Sequence, residues 1–196
     1  MAPAVAVPPA DPLAGPTPPP VVVRYRDPAG RTTLTLRAPV WHEGAWCTCF
    51  DRTFVAGAGR LPPHRHDSAT ETFFVRAGRV RYLRGGRLLT AGPGDVVTVD
   101  PGTVHIDPWA TREGPAELTV LLRPADPTWL DFGLRLGAAI CAGKLNRHGQ
   151  MPLLALMDAV HRSGADVAAA GLPGGLQRRV STPLLSRLHR VLGGGS

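Results

Sequence analysis

Three histidines and one glutamate have the residue types and the spacing to hold one metal ion. His64 and His66 stand one residue apart, Glu71 follows a short polar segment, and His105 comes later in the chain. Imidazole and carboxylate donors together suit Fe, Mn, Zn, Ni or Cu, and the positions left open on such an ion are where reactions occur. The sequence therefore predicts one divalent transition metal per chain, held by these four side chains. The alternative is a polar cluster that holds no metal.

Short β-strands are the elements that must position these side chains. Because side chains alternate between the two faces of a strand, His64 and His66 point to the same face. Glu71 has the wrong parity for that strand, and the small polar residues 67–70 predict a loop before it. The pair Gly85-Gly86 predicts a tight hairpin, since glycine accepts positive φ angles. Further strands are expected over 21–23, 32–36, 46–50, 53–55, 72–76, 80–83, 88–90, 96–99 and 118–122.

Short strands separated by Gly and Pro predict an all-β barrel or sandwich. At this point the sequence resembles the two motifs of the cupin superfamily. The matching residues are Gly59, His64, His66, Glu71 and Gly78 in the first motif, and Gly94, Gly102 and His105 in the second. The gap between Gly59 and His64 is one residue short, Pro101 stands one place late, and Trp109 occupies the usual Asn position.

The resemblance covers residues 40–125 and has consequences for fold and site. It implies a cupin-type β-barrel, which is a double-stranded β-helix or jelly roll, in a small bacterial single-domain protein. It also implies that His64, His66, Glu71 and His105 are the metal ligands. The segment 143–149, followed by an apolar helix, resembles a C-terminal helical extension found on a subset of these bacterial cupins.

Composition divides the chain into a barrel and flanking segments. The expected units are a disordered Pro- and Ala-rich tail over 1–20, the barrel over 21–125, a helical extension over 126–192 and a flexible Gly/Ser end over 193–196. Helices are expected over 128–141, 153–161 and 184–192. The apolar face of the last helix packs on the barrel, pairs with a second subunit in a homodimer, or lies on an anionic membrane surface. The first of these is favoured.

Charge and hydropathy exclude several classes of function. The formal net charge is +7, and every basic residue except Lys144 is Arg, scattered along the chain without a nucleic-acid-binding motif. We therefore expect no nucleic-acid partner. Neither a signal peptide nor an apolar run of about 20 residues is visible, so a cytoplasmic protein without a transmembrane segment is predicted. In that compartment Cys47 and Cys49 are expected to be buried thiols.

The predicted metal centre favours a small organic molecule as substrate or ligand. Three neutral imidazoles and one carboxylate leave a divalent ion with a net positive charge, which attracts anionic or enolisable oxygen groups. Phe73, Val75 and Tyr82 are expected to line an apolar substrate pocket beside it. His42 and Trp109 are expected to have surface or packing roles.

Two classes of function fit this prediction. The first is an enzyme, a dioxygenase-like oxygenase, an isomerase or a cyclase, in which Glu71 is both a metal ligand and the catalytic base. The second is a metal-dependent binding module or sensor, in which the barrel holds a ligand and the helices respond to it. The fold does not decide between them. The sequence contains no DNA-binding domain, which favours the enzyme.

Overall fold

The computed structural model describes residues 19–146 and 149–170, and its main features are two antiparallel β-sheets. The strands are β1 Val21–Arg26, β2 Thr32–His42, β3 Ala45–Phe54, β4 His64–Arg65, β5 Thr70–Ala77, β6 Val80–Arg84, β7 Arg87–Ala91, β8 Val96–Val99, β9 His105–Ala110, β10 Ala116–Arg123 and β11 Ala168–Ala169. The helices of this part of the chain are α1 Pro127–Cys141 and α2 Leu153–Ser163.

The strand order matches the barrel expected from the sequence. One sheet has the order β1-β2-β3-β10-β5-β8, and the other has the order β11-β4-β9-β6-β7. Gly85 and Gly86, with φ angles of 55° and 80°, join β6 to β7 in the predicted hairpin. The all-β barrel with a C-terminal helical extension is therefore confirmed.

Strand β3 corrects one detail of the prediction. Two separate strands were expected over 46–50 and 53–55, but β3 is continuous and pairs with β10 from Thr48 to Phe54 without interruption. Asp51 and Arg52 look like a break in the sequence because they are charged. In the structure each finds an ion-pair partner, Arg37 at 2.5 Å and Asp107 at 2.8 Å respectively, so the strand passes through them.

Helix α1 packs closely on the first sheet because two of its residues lack a side chain. A Cβ atom on Gly137 would lie 2.0 Å from the ring of Tyr25, and one on Gly133 would lie 2.8 Å from Leu36. Asp126 caps the helix by accepting a hydrogen bond from the backbone N–H of Thr128 at 2.7 Å. The helix therefore lies close against β1 and β2, where it can contribute to a site.

Several predictions fall on residues that the structure does not describe. The helix expected over 184–192, the end segment 193–196 and nearly all of the tail over 1–20 lie outside the described ranges. The three alternatives for the last helix therefore stay predictions. Of the helices described, none has the length and apolar character needed to cross a membrane.

Candidate metal centre

Strands from both sheets bring the four predicted ligands together. His64 of β4 pairs directly with His105 of β9, and Glu71 enters from β5 of the other sheet. All four side chains are buried, and one ligand atom from each of His64, His66, Glu71 and His105 lies within 4.8 Å of the others. The loop predicted over 67–70, whose last residue Thr70 begins β5, connects β4 of one sheet to β5 of the other and so brings Glu71 to the imidazoles.

Each imidazole is held by a backbone carbonyl through its Nδ1 atom. Nδ1 of His64 lies 2.9 Å from the carbonyl oxygen of Pro62, and Nδ1 of His105 lies 2.9 Å from that of Thr103. Nδ1 of His66 lies 2.6 Å from the carbonyl oxygen of Asp166. Because a carbonyl oxygen only accepts hydrogen bonds, Nδ1 carries the proton in all three rings. The Nε2 atoms are therefore the ones that face the centre, as in histidines that bind metals.

The distances between these atoms fit a bound cation. Nε2 of His66 and Nε2 of His105 each lie 3.1 Å from Oε2 of Glu71. Neighbouring donors around an octahedral ion with bonds of about 2.1 Å are about 3.0 Å apart. Three nitrogen lone pairs and a carboxylate converge in a buried space, which is unfavourable unless a metal ion or protons lie among them. The donor set could therefore hold one metal ion.

Without a metal, the same atoms bind protons strongly. Burial acts to lower the pKa of His105, but the hydrogen bond and charge of Glu71, with the charge of Asp107, outweigh it and raise the pKa to about 9. Burial acts to raise the pKa of Glu71, but hydrogen bonds from His105 and His66 hold it well below its usual range. Burial lowers the pKa of His64. Glu71 is thus an ionised carboxylate in this site.

Asp107 is a further charged group at the centre that the sequence reasoning missed. Its Oδ1 lies 3.3 Å from Nε2 of His64 and 3.6 Å from Nε2 of His105, and its Oδ2 lies 2.8 Å from Arg52. Asp107 stands two residues after His105 on β9, so strand alternation sends both side chains to the same face. That alternation, applied from His105, would have identified it.

A narrow apolar cavity opens beside the ligands. It has about 50 Å³ of space open to water molecules. The polar groups in its wall are Arg52, His64, His66, Glu71 and Asp107, and the rest of the wall is Leu34, Phe50, Leu61, Val120, Leu122, Trp129, Phe132, Gly133, Leu136, Leu156 and Val167. The cavity accordingly combines a few convergent polar groups with an apolar wall, as small-molecule sites do.

The three residues expected to line the pocket do not border this cavity. Phe73 and Val75 are buried in the hydrophobic core, and Tyr82 is half-buried and packs against it. Phe73 and Val75 share the inward face of β5 with Glu71, but they lie further along the strand, where the barrel is filled by packed side chains. Side-chain alternation identifies the inward face and does not say how far along the strand the cavity extends.

The C-terminal extension forms part of the site. The carboxylate of Asp166 accepts hydrogen bonds of 2.7 Å from both the backbone N–H and the hydroxyl of Ser68, in the segment between His66 and Glu71. Strand β11 pairs with β4, which carries His64. The ring of Trp129 in α1 packs edge-on against His66, with centroids 5.0 Å apart. The extension therefore supports the ligands and closes the cavity.

Other residues with reactive side chains lie away from this centre. His42 packs edge-on against Phe74, with ring centroids 5.7 Å apart, and is absent from the cavity wall. Trp109 is half-buried and lies 5.2 Å beneath the guanidinium of Arg60. Cys47 and Cys49 are buried free thiols, and burial raises the pKa of Cys49 to about 12. These residues have the packing roles that the sequence favours.

Comparison with known proteins gives a family match over the barrel. Residues 51–122 match the family model described as the cupin domain. No curated protein matches the chain.

Solved structures resemble the barrel at low sequence identity. KdgF from Halomonas sp. is 18% identical, with 52% of this chain and 86% of that chain covered and a TM-score of 0.41. An RmlC-like cupin from Shewanella frigidimarina is 17% identical, with coverage of 54% and 86% and a TM-score of 0.42. The DMSP lyase DddQ from Ruegeria pomeroyi is 25% identical, with coverage of 48% and 48% and a TM-score of 0.37. Similarity at this level says nothing about the substrate of the present chain.

Proposed function

The chain belongs to the cupin superfamily, and from that premise we propose that it is a metal-dependent enzyme acting on a small organic molecule. The substrate carries an anionic or enolisable oxygen, and the reaction is an oxygenation, an isomerisation or a cyclisation. One observation carries the proposal. The three imidazoles use Nδ1 to bind the backbone, so their Nε2 atoms are left to cluster with the carboxylate of Glu71 beside an apolar cavity.

His64, His66, His105 and Glu71 hold one divalent transition metal in this proposal, namely Fe, Mn, Zn, Ni or Cu. When bound, such an ion polarises a substrate oxygen and lowers the pKa of bound water. The main role of Glu71 in this proposal is that of a metal ligand, and its role as a base is secondary. Because its pKa lies below the usual range, it is ionised and can accept a proton, but as a weak base.

The apolar wall restricts what reaches the centre. Leu136, Leu156 and Phe132 exclude bulk water, which strengthens electrostatic interactions inside the cavity. The space of about 50 Å³ holds a few water molecules, since one water needs about 10–15 Å³ by this measure. The substrate is therefore small, or the helices of the extension move when it enters.

A second function, a non-catalytic binding or sensor protein, is supported by one feature. Side chains from both α1 and α2, including Trp129 and Leu156, line the cavity. A ligand in the cavity would contact these helices directly and could shift their position, which a sensor requires. The two functions differ in turnover, because a sensor binds its ligand without converting it.

Metal analysis followed by a substrate screen tests the proposal. The purified protein, reconstituted with each metal in turn, is assayed for metal content and then for oxygen uptake or product formation with phenolic and diketone compounds. Metal binding with turnover supports the enzyme, and metal binding with ligand-induced helix shifts but no turnover supports the sensor. A chain that binds no metal after reconstitution contradicts both. The cytoplasmic location, the homodimer and the absence of nucleic-acid binding stay predictions from the sequence.

A further inference from the structure

We propose that Asp107 is a fifth protein donor to the metal ion, through its Oδ1 atom. The inference rests on the proposed metal binding by His64, His66, Glu71 and His105. It goes beyond the resemblance, because neither sequence motif specifies a residue at position 107.

The position of Oδ1 relative to the imidazoles is the first observation. It lies 3.3 Å from Nε2 of His64 and 3.6 Å from Nε2 of His105. These separations are close to the 3.1 Å that joins Oε2 of Glu71 to Nε2 of His66 and of His105. Oδ1 therefore lies beside the Nε2 atoms of His64 and His105, much as Oε2 of Glu71 lies beside those of His66 and His105.

The second observation is that Oδ1 lacks a hydrogen-bond donor. The atom is buried and has no hydrogen-bond partner among the residues that the structure describes. Its neighbour, Nε2 of His64, is not a hydrogen-bond donor in the neutral ring. The proton of that ring lies on Nδ1, which donates to the carbonyl oxygen of Pro62. A buried carboxylate oxygen without a partner is costly, and a cation at the centre removes that cost.

Arg52 explains why Oδ1, and not Oδ2, faces the centre. Its guanidinium donates to Oδ2 of Asp107 at 2.8 Å and to the carbonyl of Gly59 at 3.3 Å. It also lies 4.8 Å above the ring of Phe54. Three contacts fix the guanidinium, which in turn fixes the carboxylate. Arg52 is thus a positioning residue for Asp107.

A fifth donor changes the charge of the centre. With Glu71 and Asp107 both as carboxylate ligands, their two negative charges would balance a divalent ion, and the adjacent Arg52 would be the source of positive charge in the cavity wall. An anionic group on a substrate would then be attracted toward the guanidinium side of the cavity.

The test compares three full-length proteins loaded with Co²⁺: wild type, Asp107→Asn and Asp51→Asn. Asp51 pairs with Arg37 outside the cavity wall, so its variant controls for loss of an arginine–aspartate pair. We expect Asp107→Asn alone to change the visible d–d absorption of Co²⁺ and to weaken Zn²⁺ binding in a chelator competition by at least about tenfold. An unchanged spectrum with unchanged Zn²⁺ affinity overturns the inference.

Two further measurements keep the outcomes distinct. If the wild type binds neither Co²⁺ nor Zn²⁺, the proposed function itself fails, and the fifth donor with it. If Asp107→Asn does not fold, a crystal structure of the Zn²⁺-loaded wild type decides. A distance of about 2.0–2.2 Å between Oδ1 and the ion supports the inference, and a distance outside bonding range overturns it.

Discussion

The backbone carbonyl of Asp166 lies 2.6 Å from Nδ1 of His66, which precedes it by 100 positions in the chain. The ring of a predicted metal ligand is therefore oriented by the C-terminal extension and not by the barrel. The carboxylate of the same aspartate holds Ser68, so Asp166 contacts both His66 and the segment that follows it. Integrity of the extension is thus a condition for the geometry of the centre.

Replacing Asp166 with Ala is expected to weaken metal binding although Asp166 is not a ligand. The variant loses both hydrogen bonds to Ser68, which releases the segment whose carbonyl orients His66. Groups that only orient a metal ligand contribute about 10–100-fold to affinity, and we expect a loss in that range. Chelator competition with Zn²⁺ measures it. Asp158→Ala, which removes an exposed pair with Arg162 on α2, should leave the affinity unchanged.

Replacing His64 or His105 with Ala should abolish stoichiometric metal binding. Each variant removes one nitrogen donor, and we expect a loss greater than the roughly 100-fold that orienting groups contribute. Elemental analysis after reconstitution and gel filtration measures the bound metal. His42→Ala is the matched control, because this histidine packs against Phe74 away from the cluster. Equal metal content in His64→Ala, His105→Ala and wild type would contradict the predicted ligand set.

Gly137→Ala should destabilise the protein despite the higher helix propensity of alanine. The new Cβ atom would lie 2.0 Å from the ring of Tyr25, so α1 or the ring must move. Overpacking of this kind costs about 1–3 kcal/mol, against a gain of about 1 kcal/mol from replacing glycine in a helix. We expect a net loss of up to about 2 kcal/mol in the free energy of unfolding, measured by urea titration. Leu134→Ala, at a largely exposed position of the same helix, should cost less, and a stabilised Gly137→Ala would contradict the close packing.

The cluster of His64, His66, Glu71 and His105 could be predicted from sequence because its signals are local. His64 and His66 share a face by alternation, and the polar loop before Glu71 is visible in the residue types. Asp107 has only one such signal, its alternation with His105 on β9, and an isolated aspartate on a strand is usually at the surface. Arg52 and Asp51 looked like a strand break because only the folded structure supplies their partners.

The orientation of His66 could not be predicted at all. The group that holds it is a backbone carbonyl, which every residue has, and it comes from a distant segment. The extent of the cavity was equally hidden, because it depends on where α1 and α2 close over the barrel and not on the alternation of β5. Strand positions and motif spacings are visible in short stretches of sequence, whereas contacts between the extension and the barrel are tertiary.

Metal affinity should rise with pH well beyond the ordinary histidine range. From an unperturbed histidine pKa of about 6.5, affinity would fall only below about pH 6. Without a bound metal, the pKa of His105 is raised to about 9, because the hydrogen bond and charge of Glu71 outweigh the effect of burial. Its proton is therefore still bound near neutral pH and must leave when the metal enters. Affinity should increase about tenfold per pH unit for each proton released, up to about pH 9.

The metal-free protein should respond to pH in the opposite direction. A pKa raised in the folded state gives stability that is fully present below about pH 6.5 and is lost as the pH rises through about 9. Thermal melts in a chelator should therefore show a falling melting temperature across this window, while melts with excess Zn²⁺ should not. Chelator competition over the same pH range measures the Zn²⁺ affinity, which should rise while the melting temperature in the chelator falls. His105→Gln, which cannot titrate, should flatten the fall seen in the chelator. If the Zn²⁺ affinity stops rising above about pH 6.5, His105 has an ordinary pKa and Glu71 does not keep His105 protonated.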